Sequence, residues 1–303
     1  MKVTVLYGGP SAEREISLVS GRAVIDALRC VGHEVFPSDV SPSDLSGLDH
    51  PTDVIFPVLH GAFGESGELQ EILEQRGLPF VGSGSKASRI GINKVLTKQV
   101  WEKAGLPTPP YRVIRRGQPF PPSPPGSCVV KAIDSGSSID VYLCKAAAQA
   151  AEAIQQVLSR HEAALVEQYI DGIELTVGIL EEEPLAPIRI VPKRQFFDYE
   201  AKYRAADTEH RFDTGLPAAI VEQCRQLARS ANQAIGARDL ARVDMMLDRT
   251  SQPYLLEINT LPGFTPRSLL PEAAKHAGIE FGPLVDRLVR RAAVRGGEPV
   301  KPS

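Results

Sequence analysis

The chain has 303 residues, of which 43% are hydrophobic and 23% are charged, a composition typical of an ordinary globular protein. Its 34 Lys and Arg against 37 Asp and Glu give a formal net charge of −3, which argues against a strongly basic nucleic-acid-binding protein. No apolar run approaches the roughly 20 residues of a membrane span, and the opening MKVTVLYGG leads into a strand without a secretion signal. Four scattered cysteines without a CxxC pair argue against a disulfide framework or a zinc site, so we expect a reduced, cytoplasmic enzyme.

The first part of the chain alternates strand and helix patterns. A strand at residues 3–7 leads into GGPSAERE and a helix. A second strand, DVIFPVLHG, leads into GAFGESGELQ and another helix. This alternation predicts a parallel sheet with ligand-binding loops at the carboxyl ends of its strands. We expect a first domain at residues 1–90.

The rest of the chain predicts two further domains. Residues 91–174 contain a helix at 95–104, a Pro-rich surface loop at 119–127, the strand CVVKA, an Ala-rich helix at 145–159 and the strand ALVEQYI. Residues 175–303 are mostly strands, with a helix at 221–236 and two helical segments near the end. In ARVDMMLDRTSQPYLLEIN, two strands are joined by a polar turn, which predicts a hairpin.

This predicted hairpin carries charge among apolar residues. Asp244 lies on its first strand, and period-two geometry puts Glu257 and Asn259 on one face of the second. Buried carboxylates need a cation, and two carboxylates with a carboxamide oxygen suit Mg²⁺ that bridges nucleotide phosphates. An ion pair with Arg242 is the alternative, but one guanidinium supplies a single charge for two carboxylates.

Residues elsewhere are consistent with a nucleotide. Lys94 and Lys131 offer positive charge beside a Gly/Ser loop, IDSGSSID. Glu167 and Glu174, at strand ends, can accept hydrogen bonds from a ribose, while backbone groups of EQYI can meet an adenine edge. GGPSAERE does not have the spacing of a dinucleotide fingerprint, and GSS lacks the lysine of a phosphate-binding P-loop. Each of these two loops by itself predicts only a tight turn.

Taken together, the motifs RVDMML…LLEINTLPGF, VVK…GSS, YEAKY, GGPSAERE and LHGxxGESGxLQ resemble the ATP-grasp superfamily, and within it the D-alanine–D-alanine ligase family. They occur in the family's order over nearly the whole chain. The resemblance implies an α/β (α+β) three-domain ATP-grasp architecture with an N-terminal parallel-sheet domain. It also implies a reaction in which ATP phosphorylates one D-alanine carboxylate and the amine of a second D-alanine attacks the acyl phosphate. The product would serve peptidoglycan precursor synthesis.

The resemblance also implies roles for individual residues. Metal ligands would be Asp244, Glu257 and Asn259, and ATP would be bound by Lys94, Lys131, Ser138, Glu167, Gln168, Ile170 and Glu174. The catalytic group would comprise Glu13, which anchors the first substrate's ammonium group, with Arg242 and the Gly263 N–H as oxyanion donors. It would also include Tyr203, which hydrogen-bonds with Ser137 and Glu13 on closure. Substrate contacts would come from His60, from Lys202 on the closing loop, and from Ser268 and Leu269, where a helix begins and its free N–H groups receive the second carboxylate.

Cofactors and partners follow from the same resemblance. They are ATP, two Mg²⁺ ions with Mn²⁺ as an alternative, K⁺ as a monovalent cation, D-alanine as substrate, and a second copy of the chain in a homodimer, with no nucleic-acid or membrane partner. The sequence departs from the family's pattern at Asn93, Ala132 and Asp140.

Two alternative functions stay open. One is an ATP-grasp ligase that joins other amino acids, or D-alanine with D-serine or D-lactate; Tyr203 in YEAKY favours dipeptide over ester formation. The other is a catalytically silent nucleotide-binding regulator, although such a protein would not need all three metal ligands and Arg242.

Overall fold

The computed structural model of the protein describes residues 1–118, 126–136, 140–192 and 208–296. Three separate sheets are surrounded by helices, so the predicted mixed α/β fold class is confirmed. The domain boundaries after residues 90 and 174 stay a prediction. Within the described ranges, no helix combines the length and the apolar character that crossing a membrane requires.

The first sheet is parallel, as predicted, with strand order β2-β1-β3. Its strands are β1 (Lys2–Tyr7), β2 (Glu34–Asp39) and β3 (Val54–Pro57). The sequence analysis missed β2, because Pro37 interrupts its pattern. An edge strand tolerates proline, since one side of it needs no ladder donor.

In the described chain, five helices lie between β1 and the first strand of the second sheet. The longest, α1, follows β1 directly and packs on β1 and β2. The last, α5, is capped by Asn93, whose side chain accepts hydrogen bonds from the N–H groups of Val95 and Leu96 at 3.1 and 3.0 Å. The helices are α1 (Arg14–Cys30), α2 (Ala62–Glu65), α3 (Glu68–Gln75), α4 (Ser85–Ile92) and α5 (Lys94–Lys103).

The second sheet is antiparallel, with order β4-β7-β5-β6, and one amphipathic helix covers its apolar face. Alternation along the strands sends one set of side chains into this small core and leaves the other facing the functional site. The elements are β4 (Tyr111–Arg115), β5 (Cys128–Ala132), β6 (Val141–Cys144), α6 (Ala147–Arg160) and β7 (Ala163–Gln168).

The third sheet contains the predicted hairpin. Its main path is β11-β10-β8-β12-β13, all antiparallel, and β9 pairs with β8. The strands are β8 (Gly172–Leu180), β9 (Glu183–Pro184), β10 (Ile188–Pro192), β11 (Thr208–Arg211), β12 (Leu240–Asp248) and β13 (Pro253–Asn259). Helix α7 (Ala218–Ile235) packs on this sheet, and α8 (Leu269–His276) and α9 (Phe281–Arg295) follow it.

The C-terminal helix α9 follows the third sheet in the sequence but packs on elements of the first sheet. Leu284, Val285 and Leu288 join one core with Val3 and Val5 of the first sheet, and α9 packs on α1. Both ends of the chain therefore share a core, and the first and third sheets are joined by apolar packing.

A buried ion cluster reinforces this junction. Asp239 is fully buried, accepts the Gly82 N–H at 2.8 Å and pairs with both terminal nitrogens of Arg295 at 2.6 and 2.9 Å. Arg295 also donates to the Phe80 carbonyl at 2.7 Å. One carboxylate thus ties α9 to the segment that follows the first sheet.

Replacing Asp239 by asparagine is therefore expected to destabilise the protein by about 3 kcal/mol, because it leaves the Arg295 guanidinium, which is largely removed from solvent, without its buried counter-charge. Asparagine suits the backbone here, since Asp239 has a φ of 62°, in the left-handed region that Asn tolerates. Urea unfolding measures the effect. Arg295→Met should cost a similar amount, and the double variant should cost no more than either single one; additive losses would contradict the coupling.

Candidate active site

The hairpin places its polar residues opposite one another. In the β12–β13 ladder, Arg242 lies across from Asn259 and Asp244 across from Glu257, so the four side chains share one face. The predicted common face of Glu257 and Asn259 is confirmed. At the turn, the Asp248 carboxylate accepts the N–H groups of Thr250 and Gln252 at 2.8 and 3.0 Å, which closes the hairpin.

A β-bulge interrupts the pairing of the hairpin strands next to this face. Asp244 pairs with Glu257, but the next residue, Met245, pairs with Leu255, so Leu256 is the extra residue on β13. A bulge re-aims neighbouring side chains, and here Leu256 and Glu257 line the same cavity although they are consecutive. An apolar wall and a carboxylate are thereby placed side by side.

Arg242 and Asp244 form the ion pair that the sequence analysis weighed against a metal site. The guanidinium Nε and Nη2 lie 2.9 and 2.7 Å from the two carboxylate oxygens, and Thr176 Oγ1 donates to Asp244 Oδ1 at 2.5 Å. Arg242 is only 4% exposed. The pair occupies part of the Asp244 carboxylate, whereas Glu257 lies 3.7 Å from Lys94 Nζ and is more open.

These residues fit a magnesium ion that is held jointly with a ligand. Asp244, Glu257 and Asn259 offer hard oxygen donors on one rigid surface, which is the chemistry Mg²⁺ prefers. In the part of the chain that the structure describes, no group of three or more His, Cys, Asp or Glu residues could hold a metal. Mg²⁺ commonly takes few protein ligands and completes its shell with phosphate oxygens and water, so this donor set suits a nucleotide-bound ion.

A cavity between the second and third sheets brings together most of the residues expected at the nucleotide. It is lined by Lys94, Lys131, Glu167, Gln168, Ile170, Glu174, Asp244 and Glu257. Lys94 Nζ donates to the Ser135 carbonyl at 2.6 Å, which holds the ammonium group beside the loop after β5. The cavity therefore carries two lysines at the side of the hairpin carboxylates.

The apolar walls of this cavity were missed by the sequence analysis. Val129 and Val141 come from the second sheet, and Met246 and Leu256 from the hairpin. Met246 follows Asp244 at the strand period of two, a signal that could have been used. Flat apolar walls on two sides suit an aromatic base.

The Glu167 carboxylate, which the sequence analysis expects at a ribose, lies between two lysines. It is 2% exposed, its Oε1 lies 2.6 Å from Lys98 Nζ, and its Oε2 pairs with Lys131. Burial raises the pKa of a carboxyl, but the two ammonium groups outweigh this and hold the pKa of Glu167 below its usual range. Its contact with a nucleoside stays a prediction, as do those of Gln168 and Ile170; the Gln168 N–H donates to the Pro110 carbonyl at 2.9 Å.

A second cavity lies on the other side of Arg242. Arg242, Gly263, Ser268 and Leu269 line it, together with Ile16 and Val19 of α1. As predicted, helix α8 begins at Leu269. The Ser268 Oγ accepts the Thr265 N–H at 3.0 Å, which orders the turn that leads into the helix.

The two remaining predicted residues of the first domain, Glu13 and His60, lie beyond the carboxyl ends of the parallel strands. Both are buried. A Cβ built on Gly136 would lie 3.9 Å from Glu13 Oε2 and 3.6 Å from Glu65 Oε2, so the glycine loop of the second sheet approaches these carboxylates. The sequence analysis overlooked Glu65, which accepts the Gly61 N–H at 3.1 Å and lies 3.3 Å from His60 Nδ1.

Four predicted site residues, Ser137, Ser138, Lys202 and Tyr203, lie outside the described residues, as does most of the Pro-rich loop at 119–127. Asp140, one of the departures from the family pattern, is held away from the cavity. Its carboxylate lies 2.6 Å from Arg160 Nη2 and 2.8 Å from His161 Nε2 at the end of α6. Its negative charge is therefore neutralised locally.

Comparisons with known proteins identify relatives over nearly the whole chain. Family models described as D-ala D-ala ligase N-terminus and D-ala D-ala ligase C-terminus match residues 41–83 and 100–290. The chain is 41% identical to a D-alanine–D-alanine ligase of Gloeobacter violaceus over 300 residues, which is 96% of this chain and 99% of the relative. It is 40% identical to that of Geobacter sulfurreducens over 305 residues, covering 97% and 95%.

Two solved structures are similar to this chain over nearly its whole length. The D-alanine–D-alanine ligase of Bacillus anthracis superimposes with a TM-score of 0.88 at 31% identity, covering 97% of this chain and 98% of that one. The same enzyme complexed with ATP gives 0.85 at 28% identity, with the same coverage. By its sequence motifs, its fold and these relatives, the chain belongs to the D-alanine–D-alanine ligase family.

Proposed function

We propose that this protein joins two D-alanines to D-alanyl-D-alanine, with ATP as the source of the activating phosphoryl group. The observation that carries the proposal is the Arg242–Asp244 pair, which is shared by two cavities. Asp244 lines the cavity with two lysines, and Arg242 lines the cavity at the start of α8. A ligase that makes and then consumes an acyl phosphate needs such adjacent nucleotide and substrate sites.

In this mechanism, Lys94 and Lys131 bind the ATP phosphates, and Asp244, Glu257 and Asn259 would hold Mg²⁺. When bound, Mg²⁺ would neutralise the charge that develops on the phosphates during transfer. Ser138 and Glu174 would add contacts to ATP. A K⁺ ion, Mn²⁺ in place of Mg²⁺, a homodimeric assembly and a cytoplasmic location belong to the same proposal, by analogy with the family.

The amino-acid steps use the other side of Arg242. Glu13, with His60 nearby, binds the ammonium group of the first D-alanine. The free N–H groups at the start of α8, beside Ser268, receive the carboxylate of the second D-alanine. As its neutral amine attacks the acyl phosphate, the acyl carbon becomes tetrahedral, and the Arg242 guanidinium with the Gly263 N–H stabilises the oxygen that gains negative charge. The acyl C–O bond then breaks, phosphate leaves, and the nitrogen gives up a proton to the leaving phosphate. Tyr203, Lys202 and Ser137 would close the site and exclude water from the acyl phosphate.

The test is product identification. Incubation with ATP, Mg²⁺ and a mixed pool of D-alanine, D-serine, D-lactate and L-amino acids, followed by mass spectrometry and an assay of ADP release, should yield D-alanyl-D-alanine as the main product. A mixed dipeptide or an ester would favour the alternative ligase. ATP binding without ADP release under saturating Mg²⁺ would favour a silent regulator.

Glu13→Gln tests the substrate assignment. It keeps the shape of the side chain but removes the charge that would pair with the substrate ammonium, so we expect the KM for the first D-alanine to rise at least about tenfold, which corresponds to about 1.4 kcal/mol. The Kd for ATP should change less than twofold. Asp26→Asn, at an exposed position on helix α1, which Glu13 directly precedes, is the matched control and should leave both values unchanged. An equal loss of ATP affinity in Glu13→Gln would contradict the assignment.

A further inference from the structure

A buried lysine outside the predicted site is connected to it through one carboxylate. Lys98, on α5, is fully buried, and its Nζ lies 2.6 Å from Glu167 Oε1. The other oxygen of Glu167 pairs with Lys131. Glu167 and Lys131 line the nucleotide cavity, whereas Lys98 lies behind them.

Lys98 is also attached to its surroundings on the side away from the cavity. Its ammonium group donates to Thr108 Oγ1, and that hydroxyl donates to the Leu255 carbonyl of β13 at 2.9 Å. The Tyr111 ring lies 5.3 Å from Nζ, within range of a cation–π contact. One ammonium group therefore joins α5, the second sheet and the hairpin.

The positive charge of Lys98 is energetically unfavourable in its buried surroundings. Burial lowers the pKa of Lys98, and the nearby Glu167 carboxylate offsets this shift only in part. An apolar side chain of similar length would avoid the free-energy cost of burying the ammonium group. If Lys131 were the only lysine beside Glu167, it could bind either carboxylate oxygen. Because Lys98 occupies Oε1, Lys131 is restricted to Oε2, on the side of the cavity.

We propose that Lys98 is a positioning residue for nucleotide binding, which acts through Glu167 to hold the Lys131 ammonium group in the cavity. This inference rests on the proposed function of the cavity. It assigns Lys98 no contact with the nucleotide, so its effect should depend on Glu167 and Lys131.

The first test is Lys98→Met, which keeps the length and apolar stem of the side chain. Calorimetry with ATP and Mg²⁺ in the absence of D-alanine should show a Kd at least tenfold higher than in the wild type. The KM for D-alanine at saturating ATP should stay within twofold. Lys103→Met, at an exposed position on the last turn of the same helix, is the matched control and should leave both values unchanged. A lower melting temperature of Lys98→Met with unchanged ATP affinity would show a purely structural lysine and overturn the inference.

A double-mutant cycle tests the route of the effect. If Lys98 acts on Lys131, Lys98→Met should change the Kd for ATP less than twofold in a Lys131→Met background, whereas independent effects would multiply. Multiplying effects would overturn the inference.

The variant Lys98→Met/Glu167→Gln serves if the single variant does not fold. It removes one positive and one negative charge together, so the total charge of the three groups stays at that of the wild type. It should still bind ATP at least tenfold more weakly, since Lys131 has lost its charged anchor. Affinity equal to that of the wild type would show that total charge alone matters and would overturn the inference. Absence of ADP release by the wild type with D-alanine would instead refute the proposed function, so the two failures are distinguishable.

Discussion

Replacing Glu257 by glutamine is expected to reduce turnover about a thousandfold while leaving the fold intact. Glutamine has the same shape but removes one of the two carboxylates on the hairpin face, and with it a charged group that we propose as a Mg²⁺ ligand. A metal ion supplies several kcal/mol of charge stabilisation to a phosphoryl transfer, and about 4 kcal/mol corresponds to a thousandfold in rate. Glu257 is 30% exposed in its side chain and faces the cavity, so its substitution should not disturb the core.

Two measurements separate this loss from a general defect. ADP release at increasing Mg²⁺ should show a higher half-saturating concentration in Glu257→Gln, and the thermal unfolding midpoint should match that of the wild type. Asp171→Asn removes another carboxylate, at an exposed ion pair with Arg249 near the hairpin turn, and should behave like the wild type because such pairs contribute little. Unchanged turnover and Mg²⁺ dependence in Glu257→Gln would refute the metal assignment.

Arg242→Met should have the second largest effect, a loss in kcat of about 100- to 1000-fold, the usual result of removing one oxyanion donor. The substitution also removes the bidentate partner of Asp244, which keeps the hydrogen bond from Thr176 Oγ1. ATP binding should be affected far less than kcat, because the guanidinium lines the other cavity.

Arg242→Lys is the informative companion. Lysine keeps the positive charge but cannot make two parallel hydrogen bonds in a plane, so an intermediate kcat is expected. Rapid-quench measurement of ADP formation and dipeptide formation in the same reaction would locate the defect in the second step. A kcat for Arg242→Met within threefold of the wild type would rule out its role as an oxyanion donor.

Local patterns in the sequence predicted the elements that carry the chemistry. The period of two along 253–259 placed Glu257 and Asn259 on one face, and RSLL predicted a helix that begins at Leu269. Both predictions depend on residues close together in the chain, where backbone geometry alone decides which side chains share a face.

Other features depended on contacts between distant residues. The bulge at Leu256 leaves no signal in the residue types, because it arises from how β13 pairs with β12. Proline in β2 concealed a strand that only its place at the sheet edge permits. Asp140 departs from the family's pattern, and only the fold places Arg160 and His161 beside its carboxylate.

The sequence alone therefore determined the family, the α/β class and the set of polar residues at the hairpin, because motifs and periodicity are properties of neighbouring residues. The tertiary structure decided how those residues are paired. Arg242 belongs both to an ion pair and to the lining of the second cavity, and Glu167 is a buried anion whose two partners are lysines from different parts of the chain. The physical reason is that the ionisation and direction of a charged group are set by the charges and burial around it, and folding brings those from distant parts of the chain.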